Sequence, residues 1–207
     1  MPVFLITYHM PLIYCLDLEG VLVPEIWIGV SRKFRMPSLK LTTRDIPDYD
    51  KLMKYRIDIL KKEGITLKDI QKVIATLRPL PGAKSFLDTL RKNGQVIILS
   101  DTFYEFAGPL MAQLGFPTLF CNYLHTDKKG FISGYTLRQK DGKKKAVKAL
   151  HQINFKVAAA GDSYNDLTML READKGVLFN PPDSIRKACK DLPAAYNYKE
   201  LLSRLLA

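Results

Sequence analysis

The chain has 207 residues, of which 47% are hydrophobic and 26% are charged. This composition is typical of a globular protein with one domain, or with a core domain and a small insertion. No apolar run approaches the roughly 18–20 residues that cross a bilayer, which argues against a membrane-spanning helix. The net charge of +11 suits anionic partners such as nucleic acid, acidic lipid or small phosphorylated molecules. A solvated lysine-rich surface is the simpler explanation, and no nucleic-acid-binding signature accompanies the charge.

The N-terminal stretch MPVFLITYHMPLIY is apolar but lacks the basic segment and the small-residue cleavage site of a signal peptide. We therefore expect a short extension that is not cleaved. Cys15, Cys121 and Cys189 are widely spaced and form no CxxC pair. This usage favours reduced, buried thiols in a cytoplasmic protein over a disulfide framework.

Four short apolar runs predict buried parallel strands, because they are hydrophobic throughout instead of alternating with polar residues. They are Leu12–Leu16, Val96–Leu99, Val157–Ala160 and Gly176–Phe179. Helical patterns are found at Ala83–Lys92, Tyr104–Leu114, Lys144–Gln152, Asp166–Ala173 and Tyr198–Leu206. Strands that alternate with helices predict an α/β fold with a parallel central sheet.

Two stretches depart from this alternation. Residues 25–78 show helical patterns such as YDKLMKYRIDILKKEG but no convincing strand, so we expect a helical insertion that ends at the turn Pro79–Gly82. Asn122–Arg138 contains DKKG between strand-like segments and predicts a small β-hairpin. The expected organisation is a core formed by residues 1–24 and 79–207, with a small helical cap formed by residues 25–78.

Polar, reactive side chains follow the predicted strands, at the sheet edge where open parallel sheets bind ligands. The first strand leads into LDLEG, the second into SDT and the third into GDSYND, while DGKKKA begins a helix. Taken singly, each group has an ordinary explanation as a helix cap or a turn. Their joint placement favours one site, made of Asp17, Glu19, Ser100, Asp101, Lys143, Asp162, Ser163, Asn165 and Asp166.

The residue types indicate which chemistry this site supports. Clustered aspartates without histidine or cysteine suit a hard, oxygen-ligated cation, most simply Mg²⁺. A lysine and a serine beside such a cation form a phosphate site, since the positive charges offset the anion and the hydroxyl orients it. Lys143 lies at an expected helix N-terminus, where a cation is unfavourable unless it faces an anion. We therefore predict a phosphate site that uses Mg²⁺.

These residues resemble the motifs of the haloacid dehalogenase-like phosphatases. DLEGV is similar to the first motif of that superfamily, VIILS to the second, Lys143 to the third and GDSYND to the fourth. The resemblance covers nearly the whole chain and implies a modified Rossmann core. Glutamate at position 19 departs from the wider superfamily, which has aspartate there.

The resemblance also implies roles for these residues. Asp17 is expected to attack phosphorus and form an aspartyl-phosphate, and Glu19 to act as general acid and base. Lys143 is the third catalytic group. Asp17, the backbone carbonyl of Glu19 and Asp162 are the expected Mg²⁺ ligands, with Asp166 in support.

Substrate binding is expected on both sides of the site. In the core, the phosphoryl group is expected to contact Ser100 and Lys143, and we place Asp101 and Asn165 among the substrate-binding residues as well. The insertion resembles the small cap of phosphoserine phosphatases, whose substrate groups look matched by Glu25 and Arg56. Glu25 would pair with an α-ammonium group, and Arg56 would clamp an α-carboxylate.

The segments DLEGVLVPEIW, TTRDIPDYD, LSDTFYEF and AAGDSYND together most resemble a bacterial subgroup that combines phosphoserine phosphatase and phosphoserine:homoserine phosphotransferase activities. That subgroup also has glutamate in the second position of the first motif. The expected partners are O-phospho-L-serine and homoserine as acceptor, with no membrane and no nucleic acid; a homodimer stays open. The alternatives are a phosphatase of the same fold for another small phosphomonoester, and a basic anion- or nucleic-acid-binding protein with an inactive fold.

Overall fold

A central sheet organises the chain in a computed structural model that describes residues 11–42, 45–46 and 48–207. Across these residues the sheet has seven strands, in the spatial order β4-β3-β2-β1-β5-β6-β7. All neighbours pair in parallel except β3 and β4, which are antiparallel. The strands are β1 (Leu12–Leu16), β2 (Gln95–Phe103), β3 (Thr118–Thr126), β4 (Ile132–Thr136), β5 (Lys156–Gly161), β6 (Lys175–Phe179) and β7 (Ala194–Ala195).

Helices cover both faces of the sheet, and the alternation of side chains along β1 explains why. Tyr14 and Leu16 enter one buried cluster, whereas Ile13 and Cys15 enter a second cluster on the opposite face. A strand buried on both faces must be apolar at every position, as this one is. In the described chain the α-helices are α1 (Ile26–Phe34), α2 (Tyr49–Lys62), α3 (Leu67–Ile74), α4 (Ala83–Arg91), α5 (Tyr104–Gln113), α6 (Gly142–Gln152), α7 (Leu167–Glu172), α8 (Asp183–Ala188) and α9 (Tyr198–Leu206).

The helical insertion lies between β1 and α4, as the pattern predicts. It contains α1, a 3-10 helix at Pro37–Lys40, α2 and α3. Local capping fixes two of its starts: the Asp48 side chain accepts from the Lys51 N–H at 3.1 Å, and Thr66 forms a reciprocal capping box with Asp69. The division of the chain into a core and a cap at residues 25–78 stays a prediction.

The hairpin predicted at residues 122–138 is part of the main sheet. β3 begins at Thr118, where it pairs with β2, and β4 forms the outer edge of the sheet. The turn of the hairpin reaches the insertion, because the Gly130 carbonyl accepts from the Leu67 N–H at 3.0 Å. The hairpin therefore supports the helices that lie above the site.

Three further differences from the predictions concern the bounds and the number of the elements. β2 does not end before Ser100; it continues to Phe103 through a register shift against β3, so Ser100 and Asp101 lie within the strand. The helix predicted to start at Asp166 is a 3-10 turn at Tyr164–Asp166 followed by α7. α8 and the two-residue strand β7 were not predicted, since neither is long enough to show a period.

The three cysteines are buried and unpaired, which agrees with the prediction of free thiols. Among the described residues no helix has the length and the apolar character required to cross a bilayer. The expectation of an uncleaved N-terminal extension concerns residues 1–10, which lie outside the described residues. Cytoplasmic location also stays a prediction.

Candidate active site

The end of β1 delivers the first carboxylate of the site. Asp17 follows the strand directly, and its N–H donates to the Ala160 carbonyl of β5 at 2.9 Å, so the two strand ends lie side by side. This is where the strand order reverses direction, the position at which open α/β sheets bind ligands. The Asp17 side chain is 6% exposed, and its Oδ1 accepts the N–H of Leu18 at 2.7 Å. The backbone then folds back tightly through Gly20, which has a φ of +77°.

The loop after β5 supplies two further carboxylates. Asp166 is fully buried, and its Oδ2 accepts the backbone N–H groups of Asp162 and Ser163, both at 3.0 Å. This ties the loop into a fixed turn. Asp162, one residue past the strand, then lies next to Asp17.

Lys143 connects the carboxylates. It is the second residue of α6, and its Nζ lies 2.6 Å from Asp166 and 2.9 Å from Asp17, with Asp101 at 3.5 Å. The side chain is 5% exposed, so its ion pairs with the buried Asp17 and Asp166 are shielded from water. The unfavourable position at a helix start is therefore offset by three anionic neighbours.

β2 contributes Ser100 and Asp101, which the sequence predicts to be substrate-binding residues. Ser100 is buried, and its Oγ accepts the N–H of Thr102 at 3.2 Å. Asp101 is half-exposed and accepts from the Asn165 side-chain amide at 2.6 Å. This hydrogen bond joins β2 to the loop after β5 across the mouth of the site.

Glu19 lies on the side of the site that faces the insertion. Its Oε2 accepts the N–H of Ile26 at 2.7 Å, at the start of α1. Burial raises the pKa of Glu19 to about 8, and the neighbouring Glu25 carboxylate acts in the same direction. A carboxyl group with a raised pKa retains its proton more readily, which is a property that a general acid needs.

Arg56 of α2 is the main cationic group contributed by the insertion. The side chain is 6% exposed, its Nη2 donates to the Leu41 carbonyl at 2.7 Å, and its guanidinium carbon lies 4.4 Å from the centre of the Trp27 ring. Its Nε is buried without a hydrogen-bond partner in the described part of the chain. Burial lowers the pKa of Arg56 to about 10, which leaves it charged at neutral pH.

Burial and the charges of neighbouring groups shift the pKa values of the ionisable side chains in the site. Burial raises the pKa of Asp17 well above its usual range, and Asp166 adds to this more than Lys143 takes away. Burial and the charge of Asp166 raise the pKa of Asp162 to about 7. For Lys143 burial lowers the pKa, but Asp166 and Asp17 outweigh it and hold the pKa well above the usual value.

The donor set fits a divalent cation. Within the described chain, carboxylate oxygens of Asp17, Asp162 and Asp166 all lie within 4.8 Å of one another. The absence of a side chain at Gly20 makes room for this arrangement, since a Cβ there would stand 2.4 Å from the Asp162 carboxylate. Oxygen ligands of this kind, close together and short of positive charge, are what Mg²⁺ prefers. The Glu19 side chain is outside this cluster, and the predicted contribution of its backbone carbonyl stays a prediction.

One cavity of about 330 Å³, a size that suits an amino acid derivative, is lined by all nine side chains with a predicted role in catalysis, substrate binding or metal binding. They are Asp17, Glu19, Glu25, Arg56, Ser100, Asp101, Lys143, Asp162 and Asn165. Sequence reasoning missed Trp27, Thr102 and Leu52 among the residues that line it. Trp27 is the only tryptophan of the chain and follows the first motif closely, which is the one signal that pointed to it. Thr102 and Leu52 look like ordinary strand and helix positions.

Comparison with known proteins places these features in a family. Residues 14–174 match the family model of the haloacid dehalogenase-like hydrolases. The chain is 56% identical over 194 residues to phosphoserine phosphatase ThrH of Pseudomonas aeruginosa, covering 94% of this chain and 95% of that protein. It is 57% identical over 189 residues to a phosphoserine phosphatase of Pseudomonas syringae pv. tomato, covering 91% and 80%.

A solved structure shares the fold at much lower identity. It is described as a phospho-aspartyl intermediate analogue of phosphoserine phosphatase, is 18% identical, and superposes with a TM-score of 0.76 over 94% of this chain and 99% of that chain. The α/β fold predicted from the sequence is thereby confirmed. The family match and the two bacterial relatives agree with the strand-end motifs, and the chain belongs to the haloacid dehalogenase-like hydrolases.

Proposed function

We propose that this chain is a Mg²⁺-dependent phosphoserine phosphatase that works through an aspartyl-phosphate on Asp17 and also transfers the phosphoryl group to homoserine. The observation that carries the proposal is the shared cavity: Asp17 and Lys143 line one side of it, and Glu25 and Arg56 line another. One small substrate in this cavity can thus contact both the groups for phosphate chemistry and the groups for amino acid recognition. The names of the two bacterial relatives support the same substrate.

Recognition of the amino acid follows from charge. The buried guanidinium of Arg56 lies beside no carboxylate with which it forms an ion pair among the described residues, so an α-carboxylate would supply the missing charge. The exposed Glu25 carboxylate lies at the start of α1 and suits the α-ammonium group. The phosphoryl group would then lie between Ser100 and Lys143.

In the first chemical step an Asp17 carboxylate oxygen bonds to phosphorus while the bond from phosphorus to the seryl oxygen breaks. Protonated Glu19 delivers its proton to the departing seryl oxygen, so serine leaves neutral. Lys143, already within 2.9 Å of Asp17, offsets the charge of the phosphoryl group. Mg²⁺ held by Asp17 and Asp162 would supply further positive charge to the phosphoryl oxygens.

In the second step the Glu19 carboxylate takes a proton from a water molecule, whose oxygen bonds to phosphorus as the bond to Asp17 breaks. Inorganic phosphate leaves and Asp17 is restored. Homoserine would replace water in the transfer reaction. It carries the same ammonium and carboxylate groups as serine, so Glu25 and Arg56 would hold it in the same pocket.

The test is phosphate release from a panel of phosphomonoesters, with and without Mg²⁺, followed by product analysis with homoserine present. We expect phosphoserine to be preferred, Mg²⁺ to be required, and phosphohomoserine to form. Asp17→Asn should reduce turnover by roughly 10⁴-fold or more, because the amide that replaces the carboxylate is too weak a nucleophile to form the acyl phosphate. Asp191→Asn is the matched control, since Asp191 pairs with Arg171 on the surface.

Each part of the proposal has its own contrary result. Preference for a phosphomonoester without amino acid groups would favour the alternative substrate. Full phosphoserine turnover by Glu25→Ala or Arg56→Ala would contradict the assigned recognition groups. Absence of phosphohomoserine at saturating homoserine would remove the transfer activity and leave the hydrolase, and absence of any turnover would favour a binding protein.

A further inference from the structure

The surroundings of Arg56 contain a group whose role the reaction above does not assign. The guanidinium is held on three sides by consecutive segments of the insertion: Trp27 in α1, the Leu41 carbonyl after the 3-10 helix, and Met53 one turn earlier in α2. The Leu41 contact, at 2.7 Å, is a hydrogen bond of good length. The Met53 contact, at 4.0 Å to sulfur, is weak. Beside the hydrogen bond to Leu41, the Trp27 ring is therefore the main contact that holds the guanidinium in place.

The contact with Trp27 has the geometry of a cation–π interaction. The guanidinium carbon lies 4.4 Å from the ring centre, well inside the distance of about 6 Å at which such pairs attract. Arg56 is buried and Trp27 is partly buried, and removal of the guanidinium from water strengthens the interaction. Both side chains line the cavity that holds Asp17 and Lys143.

The Trp27 ring is itself held rigidly. Its edge packs on Phe106, with ring centres 5.5 Å apart and planes at 72°. Phe106 is fully buried and packs in turn on Phe103 at the end of β2. Contacts with the core thus restrict the Trp27 indole. The indole in turn restricts the longer and more flexible side chain of Arg56.

An arginine side chain that is held in place before substrate binds gives tighter substrate binding. A free arginine side chain loses rotamer freedom when it clamps a carboxylate, and this loss weakens binding. An arginine that is already held in place loses less. The benefit reaches only substrates that possess a carboxylate for Arg56 to bind.

We propose that Trp27 is a positioning residue that holds the Arg56 guanidinium where the carboxylate of an amino acid phosphate binds, and that it thereby sets the preference for substrates with an α-carboxylate. The inference rests on the proposed function, because it presumes that phosphoserine is a substrate. It adds to that function a residue that determines specificity through Arg56.

The experiment compares O-phosphoserine with O-phosphoethanolamine, which has the phosphate and the ammonium group but no carboxylate. In Trp27→Leu we expect the KM for phosphoserine to rise on the order of tenfold with little change in kcat. The ratio of kcat/KM between the two substrates should fall by a similar factor. Trp27→Phe keeps an aromatic face and should restore most of the ratio.

Two further variants separate positioning from general packing. Trp27→Met fills much of the same volume without a ring and replaces Trp27→Leu if that variant does not fold, as judged by circular dichroism. Phe86→Leu is the matched control, because it removes a buried aromatic ring of the same core that packs on Tyr198 and not on Trp27 or Arg56. It should lower thermal stability and leave the substrate ratio unchanged.

The outcomes distinguish the inference from the function on which it rests. A wild-type preference for phosphoserine that survives in both Trp27→Leu and Trp27→Met would overturn the inference alone. An equal loss of preference in Phe86→Leu would also overturn it, since general loss of packing would then explain the effect. No phosphate release from phosphoserine by the wild-type chain would overturn the proposed function and the inference together.

Discussion

Gly20 has a φ of +77° and lies against Asp162, so that a Cβ atom at this position would stand 2.4 Å from the carboxylate carbon. Two independent constraints therefore meet at one residue: a left-handed backbone and a close approach. The close approach to Asp162 is the more informative constraint, because it links the loop after β1 to the loop after β5. The sequence shows the glycine, but only the folded chain shows which carboxylate it must accommodate.

Gly20→Ala is expected to displace the Asp162 carboxylate from the acidic cluster. The Mg²⁺ concentration for half-maximal phosphate release should rise roughly tenfold or more, as it does when groups that orient a metal ligand are lost. Phosphate release measured against Mg²⁺ concentration, together with a thermal melt, tests this.

Gly64→Ala is the control for the strain that a side chain causes in a left-handed backbone conformation. Gly64 has a φ of +68°, similar to that of Gly20, but a Cβ there would meet no atom within 4 Å. The substitution should cost about 1 kcal/mol of stability and leave the Mg²⁺ dependence unchanged. If Gly64→Ala raised the Mg²⁺ requirement as much as Gly20→Ala, the effect would come from strain and not from contact with Asp162.

At the scale of elements, Asp174 connects three neighbouring segments at the end of β5 that is opposite the site. Its carboxylate accepts from the Lys156 Nζ at 2.7 Å, and from the Val157 N–H and the His151 Nε2 at 2.9 Å each. These contacts join the end of α6, the start of β5 and the turn before β6. Burial alone would raise the pKa of Asp174, but the hydrogen bonds outweigh it and lower the pKa to about 2.

Asp174→Asn should lower the free energy of unfolding by about 1–2 kcal/mol at pH 7, because charged hydrogen bonds are lost. The folded pKa lies below the unfolded value of about 3.9, so the ionised carboxylate stabilises the fold above that value. This contribution fades as the pH falls toward 2. Urea unfolding at pH 7 and at about pH 3.5 should therefore show a smaller difference between variant and wild type at the lower pH.

Asp191→Asn serves as the comparison for this prediction. Asp191 pairs with Arg171 at 2.9 Å, but both side chains are about half exposed. Such a pair contributes less than about 1 kcal/mol. A loss at pH 7 as large as that of Asp174→Asn, or a difference for Asp174→Asn that does not shrink with pH, would contradict the assigned role of Asp174.

The elements differ in how far their sequence could predict them. β1 and β5 are apolar on both faces and stop at acidic residues, so pattern and motif agree there. β2 was predicted too short, because Ser100 and Asp101 look like a strand end although the backbone continues through an irregular register to Phe103. The partners of Arg56 lie up to 29 positions away in the sequence, and no local period connects Trp27 with α2. Tertiary contacts of this kind are visible only once the insertion has folded.

On the scale of the whole molecule, the positive net charge does not extend into the site. The chain carries a formal charge of +11, yet among the residues that the structure describes the cavity is lined by five carboxylates and two cationic side chains. The carboxylates are Asp17, Glu19, Glu25, Asp101 and Asp162, and the cations are Arg56 and Lys143. A phosphate dianion entering such a cavity needs additional positive charge nearby. The overall charge therefore does not account for phosphate binding, and a bound divalent cation would.

Mg²⁺ should consequently stabilise the whole fold, independently of catalysis. A ligand that binds only the folded state at 100 times its Kd adds about 2.7 kcal/mol, which for a chain of this size corresponds to a rise in Tm of roughly 5–10 °C. The measurement is a thermal melt after dialysis against EDTA, repeated with increasing MgCl₂ and no substrate. The rise follows from relief of the repulsion among Asp17, Asp162 and Asp166, whose oxygens lie within 4.8 Å of one another.

Asp162→Asn separates this effect from general stabilisation by salt. The substitution removes a carboxylate whose pKa burial and Asp166 raise to about 7, so it removes repulsion in the metal-free protein. The variant should melt at or above the wild-type temperature without Mg²⁺ and respond less to its addition. NaCl at matched ionic strength should not reproduce the wild-type rise, since screening acts weakly on buried charges. An equal Mg²⁺ response in Asp162→Asn and the wild type would place the cation elsewhere on the chain.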